Sequence, residues 1–185
     1  MTFEAVIFDL GGVVFPSPFE AFDAYERDTA LPEGSVRGLI RTSSETGAWA
    51  ALERSELTLE QFHAALEAEA RLAGFALEAE ALMHRVASAF APRPEMVHAI
   101  TRLREAGLRT AALTNNWVAA EGERNVSPHE ALAFDVIVES AVEGLRKPDR
   151  RIYELVLDRL GVDAKATVFL DDLGINLKPA RAIGM

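Results

Sequence analysis

Four polar strand-end features carry residue types that suit one reaction: Asp9 after the apolar run 5–8, Thr114-Asn115-Asn116 after the run 108–113, Lys147-Pro148 after the run 134–138, and Asp171-Asp172 after the run 166–170. Phosphoryl transfer needs an in-line nucleophile, positive charge to neutralise the equatorial oxygens, and donors that orient the group. Asp9 is suited to attack phosphorus and form an aspartyl phosphate. Asp9 and Asp172 together offer hard oxygen ligands for Mg²⁺, whose charge would let two clustered carboxylates stay ionised. The Thr114 hydroxyl, Asn115 and the Lys147 ammonium complete the set as ligands for the phosphoryl oxygens.

Each feature alone has an ordinary explanation. A strand-end Asp or a Thr-Asn pair caps helices and turns. Lys147 by itself reads as a solvated surface lysine, and Asp171-Asp172 as an acidic turn before the helix near Asn176. Their joint placement at equivalent ends of successive strands makes coincidence the poorer account.

The elements that must position them are readable from periodicity. The four runs are short, apolar, and rich in β-branched and aromatic residues, as buried strands are, and helical patterns separate the last three. Met96, Val97, Ile100 and Leu103 keep helical spacing between Pro94 and Gly107; Ile152, Leu155, Val156 and Leu160 do so before Gly161. The alternation predicts an α/β fold with a parallel sheet, whose carboxyl edge is where doubly wound proteins bind ligands.

Residues 16–92 differ, with amphipathic helical stretches broken by Pro32, Gly34 and Gly74 and no strand-like run. They read as an all-helical insertion after the first strand. Thr58-Leu59-Glu60-Gln61 fits a capping box, followed by a stripe of Leu59, Phe62, Leu66, Ala70 and Ala73; Leu82, Val86 and Phe90 give the next helix a similar face. The expected division is a core of residues 1–15 and 93–185 with a helical cap of 16–92.

Composition bounds the answer. The chain of 185 residues is 49% apolar and 26% charged, with a net charge of −10. That is a folded domain burying roughly 70% of its unfolded surface, and a poor partner for nucleic acid. The absence of Cys excludes disulfide scaffolds, thiolate metal sites and Cys nucleophiles. The apolar run 5–8 is far too short for a signal-peptide core or a membrane span, so the expectation is a cytoplasmic protein with no membrane partner. Oligomeric state is not legible, and a homo-oligomer stays open.

Phe8-Asp9-Leu10-Gly11-Gly12-Val13, Leu113-Thr114-Asn115, Arg146-Lys147-Pro148 and Phe169-Leu170-Asp171-Asp172 resemble the motifs of the haloacid dehalogenase superfamily across nearly the whole chain. Thr114-Asn115-Asn116-Trp117, Lys147-Pro148 with Ile152-Tyr153, and the segment 169–181 most resemble the phosphatase domain at the N-terminus of bifunctional soluble epoxide hydrolases. The resemblance implies a Rossmann-like core with a helical cap and a phosphatase of small phosphorylated metabolites. It implies Asp9 as nucleophile, Thr114, Asn115 and Lys147 around the phosphate, and Asp9, Asp172 and the Gly11 carbonyl around Mg²⁺. Asp171 is then expected to position Lys147 or a metal-bound water.

Two departures stand out. Relatives usually carry an acid/base Asp two residues after the nucleophile, where this chain has Gly11; such help is worth about 100- to 10,000-fold. Relatives also continue past a Gly-Met like Gly184-Met185 into another strand, so one sheet edge is expected to be open or covered by a partner chain.

Other readings compete. A 2-haloacid dehalogenase would lose little through Gly11, but the acidic pair favours a divalent cation that halide displacement does not need. A non-catalytic phosphate-binding protein is supported by Gly11. A receiver domain uses similar residues but with the acidic pair first and Lys last. His63, His84, His98 and His129 lack ligand spacing, Trp117 either lines or underlies the site mouth, and Arg37, Arg41 and Arg54 could meet an anionic substrate or face solvent.

Overall fold

Along Ala5-Val6-Ile7-Phe8, alternate side chains enter different clusters: Ala5 and Ile7 one, Val6 and Phe8 another. All four are buried, as a strand covered on both faces requires. The computed structural model describes residues 2–43, 45–88, 91–118 and 132–185. Its sheet holds β1 (Ala5–Phe8), β2 (Arg109–Thr114), β3 (Val136–Glu139) and β4 (Thr167–Leu170), all parallel, in the order β3-β2-β1-β4. The α/β expectation is met. Because the chain leaves β1 toward β2 and β3 and returns on the other side as β4, the crevice beyond β1 is a topological switch point.

Helix α6 (Pro94–Glu105) precedes β2, and Ile100 fills the Val6/Phe8 cluster with Ala112 and Leu132. On the other face, α8 (Arg150–Leu160) buries Ile152, Tyr153, Val156 and Leu160 against Ile7, Leu113 and Val138. It stops at Gly161, whose φ of 68° is the left-handed cap conformation. A short turn over Ala164–Ala166 leads to β4, and α9 (Gly174–Ile183) packs behind it through Ala180. Much of the link between β2 and β3, where a helical pattern was expected, lies outside the described residues.

Three strand limits shift. β2 extends through Thr114, β3 begins at Val136 and includes Glu139, and β4 begins at Thr167. Lys147 is not at a strand end: the one-turn helix α7 (Ser140–Glu143) and a loop separate it from β3. Within the described sheet, β3 and β4 are the edges.

The regular elements of the described residues between β1 and α6 are helices: α1 (Pro18–Asp28), α2 (Ser35–Thr42), α3 (Ala48–Glu53), α4 (Leu59–Leu72) and α5 (Ala79–Ser88). Both α1 and α4 open with complete capping boxes, Ser17 with Glu20 and Thr58 with Gln61. Phe62, Leu66 and Ala70 form the buried stripe of α4, and Leu59 packs at its margin. Ala73 does not join them, because the helix ends at Leu72 and Ala73 is its exposed C-cap. Leu82 and Val86 are buried on α5, while Phe90 lies outside the described residues. These helices enclose a cluster of their own around Phe22, Trp49, Phe62 and Leu66. Several acids of these helices serve helix N-termini: Glu26 accepts from Gly34 and Val36 N–H at the start of α2, Glu69 from Ala48 N–H at α3, and Glu67 from Ala79 N–H at α5. No helix among the described residues is long and apolar enough to cross a membrane.

Candidate active site

The first part of the site is set by the ladder of the sheet. Asp9 follows directly on β1, its backbone N–H donating to the Leu170 carbonyl at 2.8 Å, so the residue after β1 and the end of β4 stay side by side. Its carboxylate accepts the Leu10 N–H at 2.7 Å and is buried. The chain then turns over residues 10–15, where Val14 and Phe15 N–H groups both donate to the Leu10 carbonyl. Gly12 adopts φ 81° in this turn, and a Cβ there would lie 2.2 Å from Asp172 Oδ2. Glycine is required twice over, by the backbone conformation and by the approach of that carboxylate.

Lys147 is 1% exposed, so the solvated-surface reading that the residue has when taken alone does not hold. A buried ammonium needs partners, and Nζ has two: Asp9 Oδ1 at 2.8 Å and Asp171 Oδ2 at 2.7 Å. It also lies 5.6 Å from the centre of the Phe169 ring. The Asp171 side chain is wholly buried and accepts further hydrogen bonds from Leu173 N–H and Asn176 Nδ2. Asp171 therefore fixes Lys147 and the start of α9.

Asn115 grips Lys147 from the other side. Its Nδ2 donates to the Lys147 carbonyl at 3.1 Å and its Oδ1 accepts the Lys147 N–H at 2.9 Å. The side chain expected on a phosphate oxygen thus holds the lysine backbone. Asn116 organises the next segment, bonding through its backbone to Ser140 Oγ and through its side chain to Glu139 and Ala141. Thr114 is buried at the end of β2, its hydroxyl at the edge of hydrogen-bond range from the Asn115 carbonyl at 3.4 Å.

Asp9, Asp171 and Asp172 each offer an oxygen within 4.8 Å of the others, the one such group of three among the described residues. Three carboxylates facing one lysine leave an excess of negative charge. Burial accordingly pushes the Asp9 carboxyl from 3.8 up to about 7, with Lys147 opposing and Asp171 reinforcing the rise. Burial and then Asp171 also raise Asp172. A divalent cation is the species whose charge would relieve this shortage, and the all-oxygen donors suit Mg²⁺.

Contacts from the helical unit reach the same loops. Glu53 of α3 accepts Arg146 Nε at 2.7 Å on one oxygen and Trp49 Nε1 at 2.9 Å on the other. Ser55 Oγ donates to the Ala141 carbonyl at 2.7 Å. Trp117 packs edge-to-face on Trp49, their centres 5.9 Å apart, so it joins the helical cluster. The sequence offered no sign of the Glu53–Arg146 pair. Asn176 stood in a quoted motif without a role. Arg37 pairs with Asp23 over the Phe19 ring, Arg54 pairs with Glu56, and Arg41 is exposed. His84 and His98 are exposed, His63 Nε2 is buried without a partner among the described residues, and His129 lies outside them.

Comparison with known proteins gives three kinds of likeness. A family model described as haloacid dehalogenase-like hydrolase matches residues 3–184. The chain is 36% identical over 190 residues to acyl-CoA dehydrogenase family member 10 of Mus musculus, covering 100% of this chain and 17% of that protein. It is 32% identical over 202 residues to bifunctional epoxide hydrolase 2 of Sus scrofa, covering 100% and 36%. The chain thus spans well under half the length of both. A sesquiterpene phosphatase of Aspergillus oryzae is 31% identical over 185 residues, with 100% and 88% covered.

Among solved structures, a Bacteroides thetaiotaomicron enzyme of the same family, complexed with magnesium and inorganic phosphate, has a TM-score of 0.65 at 18% identity, covering 99% of this chain and 91% of that one. The L-2-haloacid dehalogenase of Xanthobacter autotrophicus, with chloropropionic acid covalently bound, has 0.64 at 22%, covering 100% and 76%. At these identities the likeness establishes the fold.

Proposed function

The chain belongs to the haloacid dehalogenase-like hydrolases, and on that premise we propose that it is a Mg²⁺-dependent phosphatase of a small phosphorylated molecule, acting through an aspartyl phosphate on Asp9. The observation that carries this reading is buried Lys147, 2.8 Å from Asp9 and 2.7 Å from Asp171, in a three-carboxylate cluster short of positive charge. The reading includes a core of residues 1–15 and 93–185 and a helical cap of 16–92. The phosphatase among the relatives and the magnesium and phosphate in the Bacteroides structure support it.

In this mechanism an Asp9 carboxylate oxygen attacks phosphorus in line with the departing oxygen. Lys147 stabilises charge on the phosphoryl oxygens, and Asp171 with Asn115 holds Lys147 in place. Thr114 Oγ1 is the hydroxyl donor at this edge. Asp9, Asp172 and the Gly11 carbonyl would hold Mg²⁺, which supplies charge neutralisation to the phosphoryl group. Water then attacks phosphorus, releasing phosphate and restoring Asp9.

Halide displacement would use the same nucleophile with no cation, and the acidic excess favours phosphoryl transfer over it. The test is phosphate release from a panel of phosphorylated metabolites, with Mg²⁺ and with EDTA, using Asp9→Asn as blank. Mg²⁺-dependent release by wild type alone is the expected result. Binding of beryllofluoride without turnover would instead mark a non-catalytic binder, and metal-free halide release from a 2-haloacid a dehalogenase.

A further inference from the structure

Resting on the phosphatase reading, we propose that Tyr153 is a positioning residue for the reaction: its hydroxyl fixes the first turn of α9, and that turn, through Asn176 and Asp171, holds Lys147 against the nucleophile. Tyr153 lies on α8 and is fully buried. A buried phenol needs a partner for its O–H. That partner is on another helix, since the hydroxyl donates to the Asn176 main-chain carbonyl at 2.9 Å. Burial, and then the charges of Asp171 and Asp9, push the Tyr153 hydroxyl above the ordinary phenol range, so it keeps its proton and stays a donor.

From Asn176 the bonds run to the reacting group. Its Nδ2 donates to both Asp171 oxygens, at 3.0 and 3.1 Å, Asp171 Oδ2 accepts Lys147 Nζ at 2.7 Å, and Nζ lies 2.8 Å from Asp9 Oδ1. Two features leave the start of α9 in need of support from outside the helix. Its N-cap is Leu173, whose side chain has no oxygen to accept a helix N–H, and Pro179 within the helix has no N–H to give the Ile175 carbonyl. The turn carrying Asn176 thus lacks a main-chain bond that an ordinary helix start has. Asp171 Oδ1 meets the Leu173 N–H, and the Tyr153 hydroxyl anchors the same turn from α8.

The Tyr153 ring has a separate role. It packs edge-on against Phe169 with centres 5.6 Å apart, and the Phe169 ring centre is itself 5.6 Å from Lys147 Nζ. Removing the hydroxyl alone leaves this packing in place, so Tyr153→Phe isolates the bond to Asn176. Tyr25→Phe is the matched control: the buried Tyr25 hydroxyl accepts the Glu78 N–H at 2.9 Å and ties α1 to the start of α5 within the helical cluster. Both variants lose a hydrogen bond between two elements, and Tyr153→Phe is the one that loosens Asp171.

The test compares wild type with these two variants on p-nitrophenyl phosphate and Mg²⁺. Tyr153→Phe should lower kcat by about tenfold and change KM by less than about twofold, while Tyr25→Phe should leave both within about twofold. A second readout does not depend on turnover. Lys147, Lys165 and Lys178 are the lysines of the chain, and Lys165 and Lys178 are exposed, so in protein labelled with ¹⁵N-lysine the slowly exchanging ammonium resonance is that of Lys147. It should be present in wild type and Tyr25→Phe and be broadened away in Tyr153→Phe. Replacing Tyr153 by p-aminophenylalanine, which still donates, should restore both kcat and the resonance. An unmoved Lys147 resonance in Tyr153→Phe would overturn the proposal whatever happens to kcat, and so would equal kcat losses in the two variants. Should Tyr153→Phe fold poorly, wild type alone decides. The Leu173 and Asn176 amides, bonded to Asp171 Oδ1 and the Leu173 carbonyl, should exchange with solvent as slowly as those of β1, and exchange at the rate of a fraying helix end would overturn the proposal. Absence of any Mg²⁺- and Asp9-dependent phosphate release would instead remove the phosphatase reading, and the catalytic sense of the proposal with it.

Discussion

Glu53 of α3 and Arg146, 93 positions apart in sequence, meet at 2.7 Å. Their side chains are 9% and 17% exposed, and Arg146 directly precedes Lys147. The position of α3 is thereby coupled by a charge-assisted bond to the segment carrying the buried lysine.

Removing one member of such a pair leaves the other charge buried. Glu53→Ala should destabilise the protein by about 3 kcal/mol or more. Glu53→Gln, which can still accept from Trp49 and Arg146, should cost clearly less. Urea midpoints of the two variants check this, and equal losses would mean the charge of Glu53 is unimportant.

Asn115 makes both of its bonds to the Lys147 main chain, so Asn115→Ala should act through Lys147. Loss of two buried hydrogen bonds is expected to cost about 2 to 4 kcal/mol and to lower kcat more than it raises KM. A variant that changed only KM would place Asn115 on the substrate instead.

Adjacent glycines should respond in opposite ways. Gly11→Ala meets only an ordinary contact and should fold and bind Mg²⁺ as wild type does. Gly12→Ala drives a methyl into Asp172 at a positive φ, so it should lose Mg²⁺ binding, as read by calorimetry. Similar affinities in the two variants would contradict the close approach described above.

Protons should compete with the metal. Asp9 titrates at about 7 because burial disfavours its charge, so in EDTA its contribution to stability is full below 3.8 and is lost as pH rises through about 7. Added Mg²⁺ should reverse that loss. Mg²⁺ affinity should also rise about tenfold per pH unit up to about 7 and then level off, with proton release on binding. Melting temperatures with and without Mg²⁺ across this range provide the check, and a parallel pair of curves would refute it.

Local chemistry explains what was readable from the chain. Continuous apolar runs marked β1 to β4, and the capping box at Thr58 marked α4, because strands and caps depend on residues within a few positions. Asp9 and Asp171-Asp172 follow β1 and β4 as their apolar runs indicated, and they meet because strand ends converge in any parallel sheet. Lys147 was assigned to a strand end and lies beyond α7, since a four-residue helix has too little periodicity to register. The Asn115 side chain, the Glu53–Arg146 pair and the Trp49–Trp117 contact depend on how distant segments dock, which spacing does not encode.

The bond from Asp9 N–H to the Leu170 carbonyl makes the separation between nucleophile and acidic pair a rung of the sheet itself. No hinge or loop intervenes that could loosen one against the other. The reactive centre should therefore have no private melting transition: its amides should exchange with solvent only when the central strands open, and heating should extinguish metal binding and the sheet in a single step.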